Sequence, residues 1–347
     1  MQIQELENIP TLPTLIIGVM GVTGAGKSTF IQRATGTNEG IVGHSLVSCT
    51  QQVTPHYFAA EGYNFVLVDT PGFNDTYKSD AEVLKELANY LELTYKQKTK
   101  LAGIVYLHRI TDVRMDGGAM RNLKMFRKLC GEKPMRNVVI ASTFWGTMSD
   151  TISEAHESEL ISKSEFWGDM ISHGARTQRF TGNQRSALDI LLSFADHDPE
   201  TLQLQRELVD ERKSIGETEA GCAVNEELLV LEEKYKQELK KIQQEAAEAL
   251  AERDQEMQEV LEKERAKMER KIERIHTDQE LLREDRREEI RRLEMEHLLR
   301  FDKMQHDYQV MVEQHLKEAG LGQKETLEQM VHLQEDMAEL KSKQAAP

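Results

Sequence analysis

Eight consecutive residues carry the densest chemistry of the chain: Gly21-Val22-Thr23-Gly24-Ala25-Gly26-Lys27-Ser28. A glycine-rich turn lets successive backbone N–H groups point inward at a polyphosphate, and a helix N-terminus behind it adds partial positive charge. In that arrangement Gly21, Thr23, Gly24, Ala25 and Gly26 form the cradle, with Thr29 on the first turn of the helix. Lys27 reaches the β- and γ-phosphates, and the Ser28 hydroxyl is a hard oxygen donor suited to Mg²⁺. The pattern needs a strand before it and a helix after it. The apolar run Leu15-Ile16-Ile17-Gly18-Val19-Met20 and the stretch Thr29–Arg33 supply both. The chemistry is therefore that of a nucleoside triphosphate with its magnesium.

A second element lies about 40 residues on. Tyr63-Asn64-Phe65-Val66-Leu67-Val68 is an apolar strand that ends in Asp69-Thr70-Pro71-Gly72. Asp-x-x-Gly in this place is where GTP-hydrolysing proteins hold Mg²⁺ through the carboxylate and sense the γ-phosphate through the glycine N–H. Asp69 and Gly72 take those roles. Between the two elements a hydroxyl should cap Mg²⁺ when the third phosphate is present, and Thr50 is the choice because it just precedes a strand. Ser48 and Thr54 compete with it. Phe73 stands where Ras-like proteins carry the glutamine that positions water. Slow intrinsic hydrolysis and simple packing under the loop are both compatible with that residue.

Strands expected at about 14–20, 52–59, 63–68, 101–107, 136–141 and 176–180 alternate with helices at 29–33, 80–96, 118–130, up to 173, and 185–194. That alternation predicts an α/β fold: a three-layer P-loop G domain on a mostly parallel sheet, spanning 14–198 after a leader of residues 1–13. His108 to Arg114 follows a buried strand, at the edge where ligands gather on such sheets. His108 itself reads as packing. Ser142-Thr143-Phe144-Trp145-Gly146 falls where a GTPase reads its base. Thr143 fits the first position, but Phe144 replaces the lysine and Gly146 the aspartate that binds guanine. Trp145 is the residue expected to stack on the base. Ser186-Ala187 is a weak match to the Ser-Ala base loop.

Together these motifs resemble the translation-factor-related class of P-loop GTPases, in the branch holding septins, chloroplast-import receptor GTPases and immunity-associated (avirulence-induced) GTPases. The phosphate loop, Asp69–Asp75 and Arg109-Ile110-Thr111-Asp112 carry that resemblance. Leu107–Arg114, Leu129-Cys130-Gly131 and Thr143-Phe144-Trp145 are closer still to fungal G-domain proteins with a C-terminal coiled coil, which usually read Thr-x-Trp-Asp at the base loop. The resemblance covers a little over half the chain. It implies GTP and GDP as ligands, Mg²⁺ as cofactor, and G domains that pair face to face across the nucleotide. It also implies a basic residue after the fourth strand acting in trans: Arg109 by position, then Arg114. A surface or salt-bridge arginine is the plainer alternative.

The net charge of −16 over 347 residues falls mostly after Pro199, which argues against a nucleic-acid partner. Three scattered cysteines fit a reduced, cytoplasmic setting. No apolar run approaches membrane-spanning length. Beyond a helical linker at 199–222, interrupted by Gly216 and Gly221, residues 223–319 predict one helix about 140 Å long. Its apolar residues Leu231, Tyr235, Leu239, Ile242, Ala246, Leu250, Met257, Leu261, Met268, Ile272 and Ile275 step 4-4-3. That spacing predicts a straight, homodimeric coiled coil in preference to a lone charged helix. A terminal helix follows at 323–343. The function expected is a slow GTPase whose hydrolysis depends on assembly, acting on an unknown protein effector. A coiled-coil scaffold with a degenerate or base-unselective ATP/GTP site is the alternative.

Overall fold

The computed structural model describes residues 12–36, 53–74, 78–112, 117–252, 255–284, 290–293 and 295. The chain divides into two units, one of residues 1–92 with 100–284 and one of residues 93–99 with 285–347. Its elements run in order β1 (Thr14–Met20), α1 (Lys27–Thr35), β2 (Thr54–Ala60), β3 (Tyr63–Asp69), α2 (Asp80–Lys96), β4 (Gly103–Arg109), α3 (Gly117–Cys130) and β5 (Val138–Thr143). Then come α4 (Asp150–Ser162), α5 (Asp169–Ser172), β6 (Arg176–Arg179), α6 (Gln184–Leu192), α7 (Gln203–Gln205), α8 (Glu219–Glu252) and α9 (Gln255–Arg283).

Six strands form one sheet in the order β2-β3-β1-β4-β5-β6. Every neighbouring pair is parallel except β2 with β3. Central strands of such a sheet are buried on both faces, which is why β4 and β5 read as nearly unbroken apolar runs. One face packs Ile17, Val19, Leu67 and Val105 against Phe30 and Ile31 of α1 and Leu188 and Leu191 of α6. The other packs Met20, Ile104, Tyr106 and Ile140 against α2 and α3 through Leu84, Leu87, Leu123 and Phe126. The fold is the three-layer fold of P-loop GTPases.

The helical region departs from the predicted rod. Where the sequence predicts a single helix from 223, α8 ends at Glu252 and α9 begins at Gln255. The two run antiparallel. Gln258 Nε2 donates to the Ala249 carbonyl at 3.2 Å, Lys271 Nζ lies 4.6 Å from the Tyr235 ring centre, and His276 Nε2 is 3.1 Å from Glu232 Oε1. Rising numbers on α9 thus meet falling numbers on α8. Buried positions on α9 step by sevens, Leu261, Met268, Ile275 and Leu282, while Met257 is 48% exposed. Within the described residues the stripe expected to bury itself in a dimer buries itself in one chain. A charged helix gains more by packing its apolar stripe than by standing alone. Gly221, expected to interrupt the helix, sits in the first turn of α8, where a Cβ would strike the Ile215 carbonyl.

The hairpin is part of the α2/α3 face. Val224, Leu228, Ile275 and Leu282 join the same core cluster as Leu84 and Leu123. Arg121, Lys124 and Lys128 on α3 pair with Glu227, Glu226 and Glu219 on α8, each at 2.8 Å. The expected boundary at 198 therefore does not end the core.

Candidate functional site

The loop between β1 and α1 closes around its own lysine. Lys27 is buried, and its Nζ donates to the carbonyls of Gly21 at 3.0 Å and Val22 at 3.3 Å. Burying an ammonium needs such partners, and these carbonyls hold the side chain along the loop. Gly26 caps α1 with φ of 95°. Gly21 has φ of 141°, and a Cβ there would run into the Leu107 carbonyl. A side chain at that position would push the loop off β4. Ser28 and Thr29 occupy the first turn of α1 behind Lys27.

The second element lies beside the first because β1 and β3 pair in parallel, with Val19 opposite Asp69. Asp69 is buried at the strand end, and Thr70 Oγ1 donates to the Val19 carbonyl at 2.9 Å. Gly72 meets the phosphate loop directly: an added Cβ would lie 2.7 Å from Thr23 N and 2.8 Å from Thr23 Cα. The Thr23 N–H donates to the Phe73 carbonyl at 3.0 Å, and Val22 bridges Phe73. A hydroxyl and a carboxylate at the loop end are hard oxygen donors that suit Mg²⁺, with the ligand's phosphates and water completing the shell. Among the described residues no group of three or more His, Cys, Asp or Glu could hold a metal by itself. The donor set at Ser28 and Asp69 fits a metal that arrives with its nucleotide.

Of the two readings of Phe73, packing is the observed one. The side chain is 1% exposed and lies in the core cluster with Met20, Leu84 and Leu123. Thr50 and Ser48 fall outside the described residues, as does Arg114. Thr54 lies in β2, paired with Asp69 across the antiparallel ladder.

Arg109 ends β4 opposite Thr143. Its Nε lies 3.0 Å from Asp112 Oδ1, and its Nη1 lies 3.4 Å from where a Cβ on Gly24 would be. The guanidinium thus lies against the phosphate loop of its own chain. His108, one residue earlier, is buried with its ring edge-on to Trp167. Burial pushes its pKa down to about 4, so near neutral pH the imidazole is an uncharged packing group.

At the base end Thr143 Oγ1 donates to the Ala25 carbonyl at 3.0 Å and to the His108 carbonyl at 3.2 Å. It ties the base loop to the phosphate loop. Trp145, expected to stack on the base, has its Nε1 bound to the Ser142 carbonyl at 3.2 Å. One of its faces is covered by the Arg179 guanidinium, 4.1 Å from the ring centre. The aromatic against the phosphate loop is Phe144, with a ring carbon 3.7 Å from where a Cβ on Gly26 would be. It is 46% exposed and held at φ of 63°. An exposed phenylalanine in a left-handed conformation is strained, a cost found most often at ligand sites. Sequence reasoning passed over Phe144 because alternation along one loop does not tell which of two adjacent aromatics turns inward. Gly146 has φ of 83° and open space around it. Ser186-Ala187 lies inside α6, where Ser186 N–H is capped by Asn183 Oδ1.

A family model described as the 50S ribosome-binding GTPase matches residues 16–139. That stretch holds the phosphate loop, the Asp69–Gly72 element and β4, and is similar to the G domain of P-loop GTPases. GTP-binding protein A of Dictyostelium discoideum is 27% identical over 124 residues, 35% of this chain. The match spans 26% of that relative's length. Among solved structures, Toc33 from Arabidopsis thaliana in complex with Mg²⁺ and GMPPNP gives a TM-score of 0.39 at 14% identity, covering 50% of this chain and 73% of that one. The G domain of the T. maritima FeoB iron transporter gives 0.34 at 18%, covering 53% and 99%.

Proposed function

We propose that the chain binds GTP with Mg²⁺ and hydrolyses it slowly, using the change of nucleotide to control self-association or an effector. The observation that carries this reading is the convergence of Lys27, Ser28, Asp69 and Gly72 at the ends of two paired strands. Lys27 and the loop N–H groups take the phosphate charge, Ser28 and Asp69 hold the ion, and Gly72 N–H reads the third phosphate. Mg²⁺, when bound, neutralises charge on the β- and γ-phosphates. Slow hydrolysis is supported by Phe73, whose side chain is spent in the core. The Arg109 guanidinium lies against the phosphate loop at Gly24, and a second copy meeting that side would bring its own Arg109 or reorient this one. Self-association through the G-domain face fits better than a coiled coil over the described residues, because α8 and α9 bury Val224, Leu228, Leu261, Met268, Ile275 and Leu282 within one chain.

A second reading concerns the base. With Phe144 offering a flat face and Gly146 no carboxylate, the loop holds a purine by stacking more than by its edge, and ATP competes with GTP. Calorimetric titration with GTP, GDP and ATP in Mg²⁺ tests both. The full chain is required, since truncation at 198 would bare the α2/α3 core that α8 and α9 complete. GTP and GDP binding with ATP silent supports the first reading alone. Comparable ATP binding supports the second. Absence of all binding sinks both.

A further inference from the structure

The element that reads the third phosphate leads directly into the surface that holds the helical hairpin. Asn74, two residues past Gly72, has φ of 55° and gives its backbone N–H to Asp80 Oδ1 at 2.9 Å. Asp80 opens α2. Ser79 and Glu82 form a reciprocal cap there: Ser79 N–H donates to Glu82 Oε2 at 2.7 Å, and Glu82 N–H to Ser79 Oγ at 3.2 Å. The same Ser79 hydroxyl donates to Asp278 Oδ1 on α9 at 2.6 Å. Lys85 Nζ lies 2.7 Å from Glu284 Oε2, and Arg274 on α9 lies 3.9 Å from Glu82. The first turns of α2 are therefore shared between the Asp69–Gly72 element and α9.

Two features give this contact a direction. In the arrangement described, the phosphate-reading donors are engaged within the chain: Thr23 N–H on the Phe73 carbonyl, Lys27 Nζ on the Gly21 and Val22 carbonyls. A third phosphate that draws Gly72 toward itself competes with the Thr23–Phe73 bond. Since Asn74 is bonded to Asp80, the start of α2 moves with it. Asp278 is also 7% exposed, and burial raises its carboxyl pKa from its ordinary value, with the Ser79 hydrogen bond opposing. A buried carboxylate held by the Ser79 hydroxyl and the charge of Arg274 is costlier to hold once that hydroxyl shifts.

We infer that docking of the α8–α9 hairpin on the start of α2 is thermodynamically coupled to the nucleotide: the docked hairpin favours the diphosphate arrangement, and the triphosphate loosens it. The inference rests on the proposed reading of Gly72. The released surface is the α2/α3 face, lined by Arg121, Lys124 and Lys128, which an acidic helix now covers. An effector for that face would carry a similar acidic, amphipathic helix. Coupling is reciprocal, so weakening the hairpin contact must raise triphosphate affinity relative to diphosphate by the factor with which triphosphate weakens the contact.

The test uses the full chain. Lys85→Glu with Arg274→Glu sets like charges against Glu284 and Glu82 and leaves the nucleotide residues untouched. Lys85→Glu with Glu284→Lys swaps one pair and restores it. Affinities for GDP and GMPPNP with Mg²⁺ are measured for all three proteins, together with amide exchange along α9. In the unaltered chain, α9 amides are expected to exchange faster with GMPPNP than with GDP. The repelling variant should raise the GMPPNP-to-GDP affinity ratio about fivefold, within the usual range of coupling, and the swap should return it. Both nucleotides binding with identical α9 exchange, or an unchanged ratio in a repelling variant whose α9 has lost protection, overturns the coupling. Binding of neither nucleotide overturns the proposed function as well, and so separates the two failures.

Discussion

Phe73 offers the sharpest test of how the Asp69–Gly72 element is built. Its ring is 1% exposed among Met20, Leu84 and Leu123. Truncating a buried phenylalanine removes its transfer free energy and leaves a cavity, together about 3–5 kcal/mol. Phe73→Ala should therefore remove a large share of a stability that for domains lies near 5–15 kcal/mol. Phe73→Leu keeps most of the volume and should cost about 1–2 kcal/mol. Phe73→Gln is the informative change. If the position acted on the reaction, glutamine would supply the water-orienting amide and speed hydrolysis. If the position is packing, the amide is buried among apolar groups, and the loss should match or exceed that of alanine. Denaturant unfolding gives the stabilities, and single-turnover hydrolysis per folded molecule gives the rates. A Phe73→Ala loss below about 1 kcal/mol would refute the packing argument. So would a well-folded Phe73→Gln protein whose hydrolysis rises tenfold or more.

Other expectations follow from the same geometry. His108 is held neutral in the fold, its pKa pushed down by burial to about 4 against 6.5 for the exposed group. The unfolded chain therefore takes up the proton first as pH falls. Stability attached to this residue is complete above pH 6.5 and drains between 6.5 and 4, by about 3 kcal/mol. His108→Phe should flatten that part of the stability–pH curve, and an unchanged slope would count against the buried neutral imidazole. Gly72→Ala places a methyl against the Thr23 backbone. It should lower the melting temperature by the equivalent of about 1–3 kcal/mol and weaken GMPPNP binding more than GDP binding. Gly146→Asp enters open space at a φ that aspartate tolerates. A carboxylate there should raise the preference for GTP over ATP about ten- to a hundredfold, the worth of charged hydrogen bonds at 1.5–3 kcal/mol. No change in the titrated ratio would mean that this loop does not face the base edge.

Much of the G domain is legible in the sequence because its signals are local. A strand buried on both faces must be apolar throughout, a loop that wraps phosphate must be glycine-rich, and a carboxylate at a strand end stands out against that run. Thr14–Met20, Gly21–Ser28 and Tyr63–Gly72 meet those conditions within a few residues each, and the structure brings the last two together by the parallel register of β1 and β3. What the linear chain does not state is direction and partner. Phe144 and Trp145 are adjacent aromatics, and only the anchoring of Thr143 on Ala25 turns Phe144 toward the phosphate loop, while Arg179, far along the chain, covers Trp145. Phe73 is equally suited to packing or to a site until α2 and α3 close over it. From Asn225 to Ala319 the sequence is proline-free and charge-laced, and its pattern is the same whether its apolar stripe meets another molecule or itself. Within the described residues the choice is made by the antiparallel pairing of α8 with α9 and by the apolar face of α2 and α3, which gives Val224, Leu228, Ile275 and Leu282 a closer surface to bury against than a second chain. Local sequence fixes which groups want burial, and the tertiary fold decides which surface satisfies them.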